Sequence, residues 1–198
     1  GREGAIFEEA EMSAFVPVPS YTRLMHPYVT GLVTCCDSDG NANIITVAWM
    51  MPASNKPPRL AISVAPPRYS FGLIQETGEF VINIVPYEMA EQALYCGRRS
   101  GRDVDKFEAL GLTAQPAQHV RPPVIAECLA HLECRVMQDI EVGDHHLFIG
   151  EVLGAYARAD VLAENGQYDR PRVRQLLHLG GNVFTTTSTE TVEPSVKE

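Results

Sequence analysis

The sequence is short of the features that usually declare a function. It has no CxxC pair, no HExxH, no GxSxG and no P-loop, so it gives no support to zinc ribbons, zincins, α/β-hydrolases or P-loop NTPases. The glycine-containing stretches Ser100-Gly101-Arg102 and Gly180-Gly181-Asn182 do not follow the strand–turn–helix logic of a dinucleotide fingerprint, so a Rossmann unit is not expected either. No apolar run approaches the roughly 18 residues of a membrane span, and the acidic N-terminus lacks the basic start of a signal peptide. Positive charge is in the minority. There are 16 Lys and Arg against 25 Asp and Glu, a formal net charge of −9. Nucleic acid is therefore not the expected partner, although a local cluster of donors could still hold a small anion. Cysteine is sparse and odd in number: Cys35, Cys36, Cys96, Cys128 and Cys134. Cys128 and Cys134 are predicted to lie on one face of a strand as small core hydrophobes. The five thiols point to a reducing, cytoplasmic setting.

What is present fits one domain with extensions, since 198 residues suffice for a full core. Residues 1–24 read as an acidic, then Pro-rich entry arm, 25–185 as the folded unit, and 186–198 as a polar tail. A strand is predicted over 28–36, with a turn at Asp37-Ser38-Asp39-Gly40 and a partner strand over 43–51. A loop follows over 52–58, then a strand over 59–65. A helix begins at Pro67 and stops at Gly78, and Phe80, Ile82 and Ile84 mark a fourth strand. Met89, Ala93 and Cys96 repeat at helical spacing. Asp103 is placed as the cap of a helix from Val104 to Leu110, ended by Gly111. One long strand is predicted over 124–138, with Glu127, Leu129, His131, Glu133 and Arg135 on a mixed face. A turn at Gly143-Asp144 leads to a strand over 145–157, and 178–184 is a last strand. There is no internal repeat. Hairpins and long alternating strands, without regular βαβ alternation, imply a mainly β protein with short helices: a closed antiparallel barrel with helices on its side.

Candidate chemistry gathers in four places. The run Asn43-Ile44-Ile45-Thr46-Val47-Ala48-Trp49 ends in the only Trp and reads as a strand apolar on both faces. An Asn amide, a Thr hydroxyl and an indole beside backbone N–H groups suit a flat aromatic ligand with a polar edge. Taken alone, the run better describes a core strand whose Asn and Thr bond neighbouring backbone. Arg68 and Ser70 stand at a helix start, where N–H groups and the dipole favour an anion; a helix end with a solvated Arg is the alternative. Arg98, Arg99, Arg102 and Lys106 form a second basic cluster or a solvated face. His145 and His146 are adjacent on a strand, point to opposite sides and make a poor metal pair. No metal site is expected. A single His there could instead present an imidazole to a ligand.

These residues fall into motifs that resemble a known family. Asn43-x-x-Thr46-x-Ala48-Trp49, Pro57-Pro58 before a strand, and Arg68-x-Ser70 come first. Gly78-Glu79-Phe80-Val81-Ile82-Asn83 and Ser100-Gly101-x-Asp103-x-Asp105-Lys106-Phe107 follow. Gly143-Asp144-His145 and Ile149-Gly150-Glu151-Val152 complete the series. In this order, over about 25–185, they resemble the flavin reductase-like, FMN-binding split-barrel family, close to its flavoredoxin branch. The resemblance implies an antiparallel split β-barrel and a homodimer with one FMN per subunit near the interface. Asn43, Thr46, Val47, Ala48 and Trp49 would line the flavin ring and ribityl, and Ser63 and Val64 would approach from the next strand. Arg68, Ser70 and Lys106 would meet the phosphate. His145 and Phe184 would border the ring from the barrel rim or the second subunit, and His145 would serve catalysis by positioning a nicotinamide or stabilising reduced flavin. NADH or NADPH is the implied electron donor.

Three functions are compatible with this reading: an NAD(P)H-dependent flavin reductase, a flavoredoxin-type electron carrier served by a redox protein partner, and a non-catalytic barrel holding FMN, haem or another cofactor. The absence of a nucleophile–base arrangement suits the first two, because a flavin itself carries the redox chemistry.

Overall fold

The computed structural model describes residues 15–194. The portions of the predicted arm and tail at 1–14 and 195–198 lie outside the described residues. β1 (Tyr28–Val29) is a short entry strand. β2 (Gly31–Cys36) and β3 (Ala42–Val47) form the first hairpin. Its turn is held by Asp37, whose Oδ1 accepts the N–H groups of Asp39 (3.0 Å) and Asn41 (2.8 Å). All six residues of β2 are buried, so the strand covered on both faces is β2. The run expected to have that character stops pairing at Val47, with Ile45 and Thr46 half-buried and Trp49 41% exposed.

β4 (Met50–Asn55) and β5 (Pro58–Val64) make a hairpin where a loop was predicted. Pro52 is tolerated because β4 is an edge strand and its ladder shifts register between Pro52 and Ser54, and Pro58 because it is the first residue of β5. α1 (Tyr69–Thr77) ends at Gly78, which takes the left-handed cap at φ 67° and donates its N–H to Ile74 O at 2.8 Å. β6 (Glu79–Ile84) and α2 (Ala90–Arg98) follow. α3 spans only Lys106–Leu110. Its cap is Asp105, accepting from Phe107 and Glu108 N–H, in place of the expected Asp103.

The predicted strand over 124–138 is broken. β7 (Ala114–Gln115) and β8 (Val124–Ile125) form a small separate pair. A turn in which Cys128 N–H meets Ile125 O at 3.0 Å intervenes. β9 (Ala130–Val142) and β10 (His145–Ala157) then form the long hairpin. The break allows the chain to leave one sheet and join another. It also separates the two cysteines: Cys128 packs with Leu32, Ile44 and Leu176, whereas Cys134 packs with Phe80 and Phe148. The 178–184 segment is likewise two strands, β11 (Leu177–Gly180) and β12 (Val183–Thr185), which join β1 in a small sheet.

The main sheet runs β3-β2-β6-β9-β10-β5-β4, with every pair antiparallel. Its two outer strands are consecutive in sequence. The chain passes from one edge to the other through Ala48-Trp49, and Ser63 N–H fastens Trp49 O at 2.9 Å. The sheet thus curls into a barrel split between β3 and β4. Val33, Ile62, Phe80, Ile82 and Phe148 fill it. α2 and its surroundings cover a second apolar layer, including Leu32, Ile44, Ala93 and Cys96. No helix among the described residues is long and apolar enough to cross a membrane.

Candidate functional site

The split in the barrel exposes two clefts that share Ile45, Arg68 and Gly97. The first is a slot of about 270 Å³. Thr46, Val47, Ala48 and Trp49 reach it from the end of β3 and the crossing segment. Ser63 and Val64 come from the end of β5, and His145 from the start of β10. The Trp49 and His145 rings lie 5.0 Å apart at an interplanar angle of 37°. His145 Nδ1 lies 2.8 Å from Asp144 Oδ1. A carboxylate only accepts, so Nδ1 carries the proton and Nε2 is left for a ligand. The imidazole in turn holds the Asp144 carboxyl below its ordinary pKa, through the hydrogen bond first and its charge second.

The second cleft, about 170 Å³, is basic. Arg68, at the start of α1, and Arg98, Arg99 and Arg102 form its walls, with Lys106 at its floor. Lys106 is 4% exposed. Its Nζ donates to Ile44 O (2.5 Å) and Cys96 O (2.9 Å), tying β3 to the C-terminal turn of α2. Burial pushes its pKa below the ordinary lysine value, partly offset by the neighbouring Cys96 and Cys35. Two of its three protons are committed to carbonyls, so its charge serves the pocket as much as its hydrogen bonds do. The Arg102 guanidinium lies 5.1 Å over the Tyr69 ring. Asn43 and Ser70 lie beneath the pocket, with Asn43 Nδ2 donating to Ser70 Oγ at 2.8 Å. Gly101 is required there, because a Cβ at that position would fall 2.2 Å from Asn43 Oδ1.

All the expected site residues except Phe184 therefore line one cleft or the other. Phe184 lies outside both. It sits opposite His178 across the β11–β12 pair, with the ring centroids 5.4 Å apart, and packs into the layer under α2. Reading 178–184 as one strand hid this pairing, and it is His178 that reaches the slot. Thr46 also differs from expectation: its hydroxyl donates to Ala93 O at 2.5 Å, leaving only lone pairs for a ligand. Gly97 was missed as well. Its only signal was the position between a buried helix face and the Arg98-Arg99 pair; in the fold a Cβ there would meet Thr46 at 3.4 Å, in ordinary contact.

A larger cavity of about 560 Å³ lies toward the other end of the β9–β10 hairpin, between Ala130, Ala157 and Tyr168, with Arg170 on its wall. It combines no planar slot with a cation cluster, whereas the two joined clefts do. Among the described residues no group of three or more His, Cys, Asp or Glu is placed to hold a metal ion.

A flat slot with an aromatic wall, opening into a cationic pocket, suits a planar heterocycle that carries a phosphate. The family described as the flavin reductase like domain matches residues 23–186. An uncharacterized protein of Archaeoglobus fulgidus is 37% identical over 77% of this chain and 85% of its own length. The uncharacterized protein YddH of Escherichia coli is 34% identical over 89% and 96%. Among solved structures, flavoredoxin of Desulfovibrio vulgaris superposes with a TM-score of 0.79 at 28% identity, covering 91% of this chain and 94% of that one. The FMN-binding protein from Thermus thermophilus, solved with bound 1-cyclohex-2-enone, gives a TM-score of 0.80 at 26% identity, covering 91% and 97%. On its fold and on these matches, the chain belongs to the flavin reductase-like family.

Proposed function

We propose that this protein is an FMN-binding oxidoreductase of the NAD(P)H:flavin reductase type. The observation that carries this reading is the continuity of the aromatic slot with the basic pocket through Arg68. Bound FMN would supply the redox chemistry, accepting hydride from NADH or NADPH. The work of the chain is to bind and orient. Arg68, Ser70 and Lys106 would hold the phosphate dianion with the arginine cluster around it, at the N-terminal end of α1. Trp49, Ala48, Val47 and Val64 would wall the ring, and Asn43, Thr46 and Ser63 would face its polar edge and side chain. His145, with Asp144 fixing its tautomer, would present Nε2 to the nicotinamide.

The protein would act as a homodimer in the cytoplasm. Trp49, Ala48 and Ser63 also line an apolar hollow of about 260 Å³ with Met25 and Met51. Tyr21, Leu24, Met25 and Met51 are all more than half exposed. A second copy would cover this surface and complete the outer wall of the slot. Five free, buried thiols suit a reducing compartment.

A second reading is a flavoredoxin-type carrier that takes electrons from a protein donor. The superpositions on flavoredoxins of Desulfovibrio vulgaris and Methanosarcina acetivorans favour it, and the acidic surface would suit a basic redox partner. An anaerobic absorbance titration of the FMN-loaded protein with NADH and then NADPH separates the readings. Bleaching of the long-wavelength flavin band is expected, with slower single-turnover reduction in His145→Ala. Unchanged reduction in that variant would remove His145 from the mechanism. No bleaching by either nucleotide, with dithionite still reducing the flavin, would select the carrier. A purified protein that takes haem or holds no FMN would end both readings.

A further inference from the structure

The two clefts are joined a second time, from outside, by the β11–β12 turn. Arg98 lines the basic pocket and its Nη2 points away from it, donating to Asn182 Oδ1 at 2.5 Å and Gly181 O at 3.4 Å. Gly181 O also accepts from His178 Nε2 at 3.2 Å. A carbonyl can only accept, so this contact places a proton on Nε2 of His178. His178 in turn lines the slot, as His145 does. The turn is short and glycine-built, with φ of 101° at Gly180 and 58° at Gly181. A Cβ on Gly180 would press on His26 at 3.1 Å, so a side chain there would disturb its seat. Neither Asn182 nor Gly181 lines either cleft.

A guanidinium is a rigid fork with five N–H donors. With Nη2 engaged by the turn, Nε and Nη1 of Arg98 remain for an anion in the pocket. Resting on the FMN reading, we propose that the β11–β12 turn is a clasp in which Arg98 bridges a bound phosphate group to Asn182 and Gly181. Gly181 thereby fixes His178 as a positioning residue at the slot. Occupancy of the basic pocket at one end then orders an imidazole at the other. The two ends reinforce each other, because whatever orders Arg98 for the phosphate also orders it for the turn.

The clasp is tested by equilibrium binding of FMN and riboflavin, which differ in the phosphate. The single Trp sits in the slot, so its fluorescence reports occupancy. Wild type is expected to prefer FMN. In Asn182→Ala that preference is expected to fall about three- to tenfold, the loss of one charge-assisted hydrogen bond at an exposed site, although residue 182 touches neither cleft. Arg98→Lys, which keeps the charge and loses the fork, is expected to reduce the preference too. Nitrogen NMR of the imidazoles adds a second readout, with His178→Gln supplying the assignment. Inorganic phosphate or FMN is expected to shift His178 toward the Nε2–H tautomer in wild type and not in Asn182→Ala. An Asn182→Ala protein that keeps its FMN preference, or that loses both flavins equally, would overturn the clasp while leaving the FMN reading in place. A wild type that binds neither flavin would overturn the FMN reading, and the clasp with it.

Discussion

Glu133 shows how one side chain can hold a loop to the barrel. It is completely buried yet carries a carboxylate. Its oxygens accept from Gln118 N–H (2.8 Å), His119 N–H (2.5 Å) and the Tyr156 hydroxyl (2.7 Å). Desolvation pushes its pKa up, but these donors outweigh it and hold the group below its ordinary value of 4.5. The same contact raises the Tyr156 hydroxyl well above its usual range, after desolvation as the larger cause. Because the folded pKa of Glu133 lies below the unfolded one, the fold binds fewer protons there. Its stabilising contribution is full above about pH 4.5 and is lost as the pH falls through the folded value. Glu133→Gln is expected to cost about 1–3 kcal/mol near neutral pH, since an amide turns donors toward donors. Denaturant titration across pH 3–7 checks this: the gap between variant and wild type should narrow on the acid side. A constant gap would mean that Glu133 acts through shape alone. Sequence alternation put this residue only on a mixed face, because the pattern does not reveal that the 113–125 segment crosses over the strand.

At the scale of elements, the site depends on α2 being moored to β3. Lys106 Nζ joins Ile44 O to Cys96 O, and Thr46 Oγ1 donates to Ala93 O. These ties set Gly97 and the arginines beside the slot. Thr46→Val keeps the shape and removes the hydroxyl. It is expected to lower stability by about 1 kcal/mol and to weaken FMN binding, because the helix end that carries Arg98 loses its mooring. Denaturant midpoint and FMN affinity measure the two effects separately. If stability falls with affinity intact, the mooring is structural only. The motifs made the line-up of Asn43, Thr46, Trp49, Arg68 and Ser70 legible from the sequence. Elements whose identity depends on distant partners were not legible in this way. β4 is a strand despite Pro52 because it is an edge; 124–138 is broken because its halves pair in different sheets; and His178 reaches the slot from β11, which is held between β1 and β12.

At the scale of the whole molecule, charge and apolar surface divide the labour. A chain with a net charge of −9 concentrates four arginines and a buried lysine in one pocket. An anion held there would be recognised locally, within about a Debye length, not by the overall field. The apolar surface has the opposite character. Met51, on edge strand β4, is 57% exposed and borders two hollows, one shared with Trp49 and another of about 380 Å³ lined by Leu60, Ile84, Leu132 and Val152. An unpaired edge bearing methionines beside open barrel residues invites association. A stable interface of about 1,600 Å² would need surface of this kind at its centre. Met51→Asp places a charge there without disturbing the barrel interior. Sedimentation velocity is expected to show a dimer for wild type and a monomer for the variant, with a near-native circular dichroism spectrum. The monomer should bind FMN more weakly, because the outer wall formed by Trp49 would then face water. A wild type that sediments as a monomer, or a variant that remains a dimer with unchanged FMN affinity, would place the partner-binding surface elsewhere and leave Trp49 as the complete wall of the slot.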